Sequence, residues 1–366
     1  MRRFRTTKGM IIAASLALLG AAACSKGGKG GVGGGATLAA ASPVTVLPKE
    51  TGFVVGLSLN KLRGTKLFDK LAAKAKEQEK EKYDELKAKC GVDVFQDFES
   101  LTIAGDAKLD EKKLVFLLKG KFDEEKGNKC VQASAEKEGK KLTIKKDGKL
   151  TEYAVEGESE SLYAAWLGTG AVLVGPNKEY VTAVADRKSS LKDNGAFMDL
   201  VKQVDQGASA WGVFTAPAGG EPSGPFGELV SDGENAQGLF MTVNYTKDLD
   251  AKVGIRYPSD KGAKGIVDKV NQAVTEIKAN PMFGGFLTGF KAEVTAKDGL
   301  LSLKLTEQQL DMIAGFVESQ IPMGMMGGGM GAHPGAPGIA APPPGMDVPG
   351  MGAPGAPAGG VPQGGQ

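Results

Sequence analysis

Histidine is almost missing from this chain: the one imidazole is His333, inside a C-terminal stretch of Gly, Pro, Ala and Met. Readings that need an imidazole elsewhere, Ser-His-Asp, Cys-His and the usual zinc hydrolases, lose their base or ligand. Charge of one sign is missing too. The net charge is +2, from 45 basic and 43 acidic residues that are interspersed, so bulk electrostatics do not point to nucleic acid. No phosphate loop is present, because Gly168-Thr169-Gly170 lacks the Lys-Ser/Thr ending. No nucleophile elbow is present either, because Gly207-Ala208-Ser209-Ala210-Trp211 fails at its last place. Ser189-Ser190-Leu191-Lys192 fits the Ser-x-x-Lys pattern, but the companion Lys-Thr-Gly is absent and the match falls where a loop between helices is expected. No apolar run reaches the ~20 residues of a spanning helix. The longest, Met10 to Ala23, has 14.

That run has a meaning of its own. Arg2, Arg3, Arg5 and Lys8 precede it, and small residues followed by Cys24 close it. Basic start, short apolar centre and small residues at the cut form a secretion signal, here 1–23. Ala21-Ala22-Ala23-Cys24 resembles the bacterial lipobox, Leu-Ala/Ser-Gly/Ala-Cys, in its last three places, with Ala21 where Leu is common. The resemblance implies lipidation (palmitate) of Cys24 and a membrane partner through that anchor. Ser25 in place of an Asp favours the outer membrane over inner-membrane retention. The same residues also satisfy a plain Ala-x-Ala cut, with Cys24 an ordinary residue. If Cys24 carries lipid, Cys90 and Cys130 remain as an even pair. In the oxidising periplasm these are expected to join; two buried free thiols are the alternative.

From Cys24 to residue 44 the chain is a lipidated Cys and a Gly-rich spacer with little to bury, and 322–366 reads as a disordered Gly/Pro/Met-rich tail. The rest is long enough for one large domain or two small ones. Gly52–Leu59 reads as a strand and Lys66–Cys90 as one long charged helix stopped by Gly91. Ser100–Ala104 and Leu114–Leu118 read as strands, and Asp123 as the cap of a helix carrying Cys130. Leu142 and Ile144 alternate with polar partners up to Asp147-Gly148 and a returning strand. Leu162–Leu167 and Ala171–Val174 are two more strands, and Asn177 and the Phe197, Leu200, Val201, Val204 stripe mark two helices. A second half reruns this plan: a strand at 210–215, alternating runs at 239–245 and 251–257, a helix stripe Ile266 to Ile277, a hairpin through Asp298-Gly299, and a capping box at Thr306 and Gln309. Lys-Asp-Gly recurs at 146–148 and 297–299. The expected fold is therefore α+β: two tandem degenerate repeats, 45–206 and 207–321, of antiparallel sheet with helices packed on one face.

Few features carry chemistry. Carboxylates at Asp123, Glu124 and Glu125, or at Glu156, Glu158 and Glu160, could form a glycosidase-type pair, though helix caps and solvated faces use them as readily. Met323, Met325, Met326, Met330 and His333 are soft ligands able to hold Cu(I), on a backbone without preorganisation. Phe283, Phe286 and Phe290 between glycines make either an exposed apolar loop or the core of a short helix. No catalytic, cofactor or metal residue is assigned.

Cys90-Gly91-Val92-Asp93 through Phe98-Glu99-Ser100-Leu101-Thr102, Lys119-Gly120-Lys121-Phe122-Asp123 with the later Cys130, and Asp193-Asn194 to Phe197 together resemble a pattern of predicted myxobacterial lipoproteins, a family without assigned activity. The resemblance covers about 50–215. It implies an envelope location and a Cys90–Cys130 bridge, and no catalytic residue. The expected function is that of a non-enzymatic cell-envelope lipoprotein with a binding or structural role, its envelope protein or lipid partner unnamed. A carrier of an apolar ligand such as lipid is the alternative, and a carboxylate-based hydrolase the third reading.

Overall fold

Two strands that are far apart in sequence, β1 (Phe53–Ser58) and β8 (Ala210–Thr215), pair antiparallel at the centre of one sheet. On the β1 side follow β2 (Phe98–Gly105), β3 (Val115–Gly120), β7 (Ala171–Gly175), β6 (Leu162–Trp166), β5 (Leu150–Val155) and β4 (Leu142–Asp147). On the β8 side follow β11 (Gly238–Tyr245), β12 (Leu249–Arg256), β14 (Asp298–Leu305) and β13 (Phe290–Thr295), making twelve strands in all. The short strands β9 (Val230–Ser231) and β10 (Glu234–Asn235) form a separate hairpin that their length hides in the sequence. The computed structural model describes residues 42–91, 93, 95–168, 170–186, 190–217, 229–279 and 284–320. Cys24, the spacer glycines, Ser189, Phe283, the tail methionines and His333 lie outside the described residues. The chain divides into a body, Met1–Phe316, and a second unit from Val317 on.

The helices are α1 (Leu59–Leu62), α2 (Lys66–Gln78), α3 (Lys80–Cys90), α4 (Glu124–Lys137), α5 (Lys178–Asp186), α6 (Gly195–Val201), α7 (Asp260–Lys278) and α8 (Glu307–Gln320). The protein is thus α+β. Caps fall where side-chain chemistry places them: Thr65, Asp123, Asn177, Asn194 and Ser259 each accept a bond from a first-turn N–H. The long helix expected over 66–90 is two helices, broken at Glu79, which leaves helical geometry at φ −113°, ψ 31°. Of Leu67, Leu71 and Leu86 in this stretch only the backbone is described. Gly91 ends α3 at φ 67°, a left-handed stop that suits glycine.

Helices cover both faces of the sheet, which corrects the expectation of one. Alternate residues of a strand point to opposite faces. On the first face Val54, Leu117, Leu173 and Val213 pack with Val181 and Val184 of α5 and Phe197 and Leu200 of α6. On the second face Leu118, Val172 and Val174 pack with Cys90 of α3 and Cys130 and Val131 of α4. Further along that face Ile255, Leu239 and Phe214 meet Ala263 and Ile266 of α7. All five residues of β7 are buried, as a strand covered on both sides requires.

The two Lys-Asp-Gly segments turn differently. In the first, Asp147 pairs with Leu150 and Gly148 takes φ 60° in the turn. In the second, Thr295 pairs with Asp298, so the turn is Ala296-Lys297 with Ala296 at φ 51°, and Asp298 and Gly299 already belong to β14.

Candidate functional site

The ends of four strands bring Thr215, Gly238, Arg256 and Asp298 into one cross-strand row. Arg256 and Asp298 are direct neighbours there and join in a two-pronged pair, Nε to Oδ1 at 2.7 Å and Nη2 to Oδ2 at 2.8 Å. Both side chains are largely buried, at 15% and 10% exposure. The Asp298 carboxylate holds the guanidinium above its ordinary pKa, against the desolvation that burial brings. Gly238 leaves room for Leu200 of α6, which a Cβ would meet at 2.4 Å.

Between this row, α6 and the β9–β10 hairpin lies a cleft of about 720 Å³. α6 supplies Ala196, Asp199 and Leu200, and the strand ends supply Arg256, Pro258 and Lys297. Asp199 bonds Lys202 at 2.8 Å. That bond, followed by Lys202's charge and weaker attraction to Arg256 and Lys297, brings its carboxyl below the usual range. Glu234 of β10 also lines the cleft, but its carboxylate is taken by the Ser259 hydroxyl at 2.6 Å. Lys297 is fixed through its backbone, which accepts the Tyr257 N–H at 2.9 Å.

A second cleft of about 570 Å³ has Tyr180, Asn177 and Glu179 on one element and Glu50, Asp106 and Lys113 on others. Tyr180 Oη lies 2.8 Å from Thr51 Oγ1, and burial pushes its phenol up to about 12. Asp106 accepts the N–H groups of Lys108 and Asp110 and the Lys113 ammonium at 3.1 Å. Burial acts to raise that carboxyl, but these bonds bring it below its ordinary value.

Cys90 and Cys130 meet as a disulfide, with Cα atoms 5.0 Å apart and a sequence separation of 40. Nearby, Lys76 Nζ lies 5.1 Å from the Tyr83 ring centroid and 5.2 Å from that of Phe95. Tyr83 Oη donates to Asp93 at 2.6 Å. Arg63 donates to the Phe95 carbonyl at 2.6 Å and to that of Phe98, fixing the loop that carries the ring.

Several of the other described residues singled out in the sequence have structural partners. Ser190 caps a short 3₁₀ turn that carries Lys192, accepting the Lys192 N–H at 3.3 Å, while the serine of the Ser-x-x-Lys pattern, Ser189, lies outside the described residues. Ser209 is buried and bridges Tyr245, donating to its carbonyl at 3.0 Å and accepting its N–H at 3.1 Å. Asp123 caps α4, Glu124 pairs with Lys146 at 2.8 Å, and Glu125 pairs with Lys129 at 2.6 Å. Glu156 and Glu158 pair with Lys141 and Lys140. Phe286 lies in a 3₁₀ turn and Phe290 opens β13. Among the described residues no helix is long and apolar enough to cross a membrane, and no group of His, Cys, Asp and Glu is arranged to hold a metal ion.

Arg256 escaped sequence reading, although a signal exists. After residue 5 this Lys-rich chain holds three arginines, Arg63, Arg187 and Arg256. The two that are described, Arg63 and Arg256, both make several bonds through the fork that Lys lacks.

No family model and no curated protein matches the chain. Among solved structures, crystal form III of TP0453 is similar at a TM-score of 0.43 and 9% identity, over 76% of this chain and 99% of that one. Crystal form I of TP0453 is similar at a TM-score of 0.42 and 9% identity, over 75% of this chain and 98% of that one.

Proposed function

We propose that the protein is a non-enzymatic lipoprotein of the bacterial cell envelope with a binding or structural role, anchored through acylated Cys24 and placed at the outer membrane. The order of basic, apolar and small residues ending in Cys24 carries this reading. The Cys90–Cys130 disulfide supports it, since such bonds persist in oxidising compartments. The Gly-rich stretch after Cys24 gives the body reach from an anchor. Both clefts mix charged and apolar walls, which favours a polar partner over a purely apolar cargo.

The repeat belongs to the same reading. From the central pair outward, β1-β2-β3 leads through α4 to the edge and returns to β7 beside β3. β8-β11-β12 leads through α7 to the opposite edge and returns to β14 beside β12. This path supports a degenerate two-fold repeat whose second copy is one hairpin shorter.

The test is metabolic labelling with an alkyne fatty acid in wild type and Cys24→Ala. The anchored reading expects label on wild type alone and release of the variant from the membrane fraction. Equal labelling of both proteins would overturn it.

A further inference from the structure

We propose that the cleft between α6 and the ends of β8, β11, β12 and β14 binds a short peptide through its free carboxylate and its ammonium group. This deepens the binding role proposed above and rests on it. The cationic part of the site is built in. Asp298, 7% exposed, takes Nε and Nη2 of Arg256 and so fixes the plane of the guanidinium. Nη1 has no hydrogen-bond partner among the described residues, and Arg256 lines the cleft. Lys297 stands beside it in the tight Ala296-Lys297 turn, one residue from Asp298. Arg256 is thus held by Asp298, and strand register places the Lys297 backbone beside it.

The acidic part comes from α6. Asp199 lines the same cleft and is kept ionised by Lys202 and, more weakly, by Arg256 and Lys297. Leu200, Ala196, Ala216, Pro217 and Pro258 supply apolar wall between the charges. A purely anionic ligand would face Asp199, Glu234 and Asp298. A purely cationic one would face Arg256 and Lys297. An apolar one would cover both signs without pairing either, which is unfavourable. A small zwitterion with an apolar body satisfies all three: carboxylate on Arg256 and Lys297, ammonium on Asp199, side chains on the apolar wall. The volume, about 720 Å³, falls within the ~300–1,000 Å³ of small-ligand pockets.

The experiment titrates the full mature chain with trialanine, trialanine amide and N-acetyl-trialanine by calorimetry. Saturable binding of trialanine is expected, with each blocked peptide weaker by about tenfold or more, the size of one charge-assisted hydrogen bond. Lys297→Ala should weaken trialanine but leave the amide unchanged, and Asp199→Asn should weaken trialanine but leave the acetylated peptide unchanged. Ala216→Trp fills the cleft from its wall and should abolish binding while the melting temperature holds. Absence of saturable binding to wild type, equal binding of the three peptides, or full binding by Ala216→Trp would each overturn the proposal. Fatty-acid label on Cys24 is read in the same preparation, so a labelled protein that ignores trialanine overturns this site and leaves the anchored reading standing.

Discussion

The two halves of the sheet close their second face by different means. Over β2, β3 and β7 the cover is α3 and α4, and a disulfide between Cys90 and Cys130 ties the two helices together. α3 needs the tie: Cys90 is its buried apolar residue among those described, and its remaining described side chains carry mostly charge. Over β13 and β14 the cover is α7, which has no covalent tie. It relies on a stripe with Ala263 and Val267 buried, on Ile266 close against Gly299 of β14, and on close approach to the β9–β10 hairpin at Gly262 and Gly265, where a Cβ would meet Glu234 and Ser231 at 2.6 and 2.4 Å. One half trades helix amphipathicity for a cross-link; the other keeps the amphipathic helix and goes without.

Breaking the cross-link tests this contrast most strongly. Cys90→Ala with Cys130→Ala reopens a loop of 40 residues and should cost about 4 kcal/mol by the chain-entropy relation. Hydrogen exchange should then quicken in α3 and α4 while β11 to β14 stay protected. Uniform loss of protection would show that the halves are one cooperative unit.

High pH should also act through buried tyrosines. Burial pushes the Tyr153 and Tyr180 phenols up to about 12, whereas unfolded tyrosine titrates near ~10. These groups therefore contribute fully below pH ~10, and the contribution is lost as pH rises from there through about 12, on the order of 2–3 kcal/mol each. Tyr257 in the other half is raised by burial as well. Unfolding that precedes phenolate absorbance would contradict the assignment.

At the seam, Ser209→Ala removes both bonds to the Tyr245 backbone and should cost roughly 1–3 kcal/mol, read as a shift in urea midpoint with unchanged slope. The smallest effect is expected at Lys66, whose ammonium pairs with Glu307 at 2.6 Å on the open surface. Lys66→Ala should leave the melting temperature unmoved.

How far these features could be read from sequence depends on their range. Alternation made strands at 239–245 and 142–147 visible, because both are hairpin partners with one wetter face. Asp123, Asn177, Thr306 and Gly91 announced helix ends through local chemistry. The turn at Ala296-Lys297 did not announce itself, because an alanine in left-handed geometry leaves no mark that Asp298-Gly299 does not outbid. The break at Glu79 is hidden inside a run of charge that suits one helix or two. The β1–β8 pairing and the Arg256–Asp298 row have no local signal at all, since each depends on strands meeting across the fold. The two-faced helical cover was available in outline: Ala171 to Gly175 is apolar at every position, which one wet face would not permit.

The central pair has a consequence for how the chain is made. Phe53 finds its neighbour Phe214 only after the whole first half has been synthesised. Until then β1 shows an open edge, the geometry that recruits stray strands. Contacts this distant in sequence also slow folding, because closing the loop precedes any reward from it. A chain delivered N-terminus first, by synthesis or by export, therefore holds an unfinished sheet until β8 has followed.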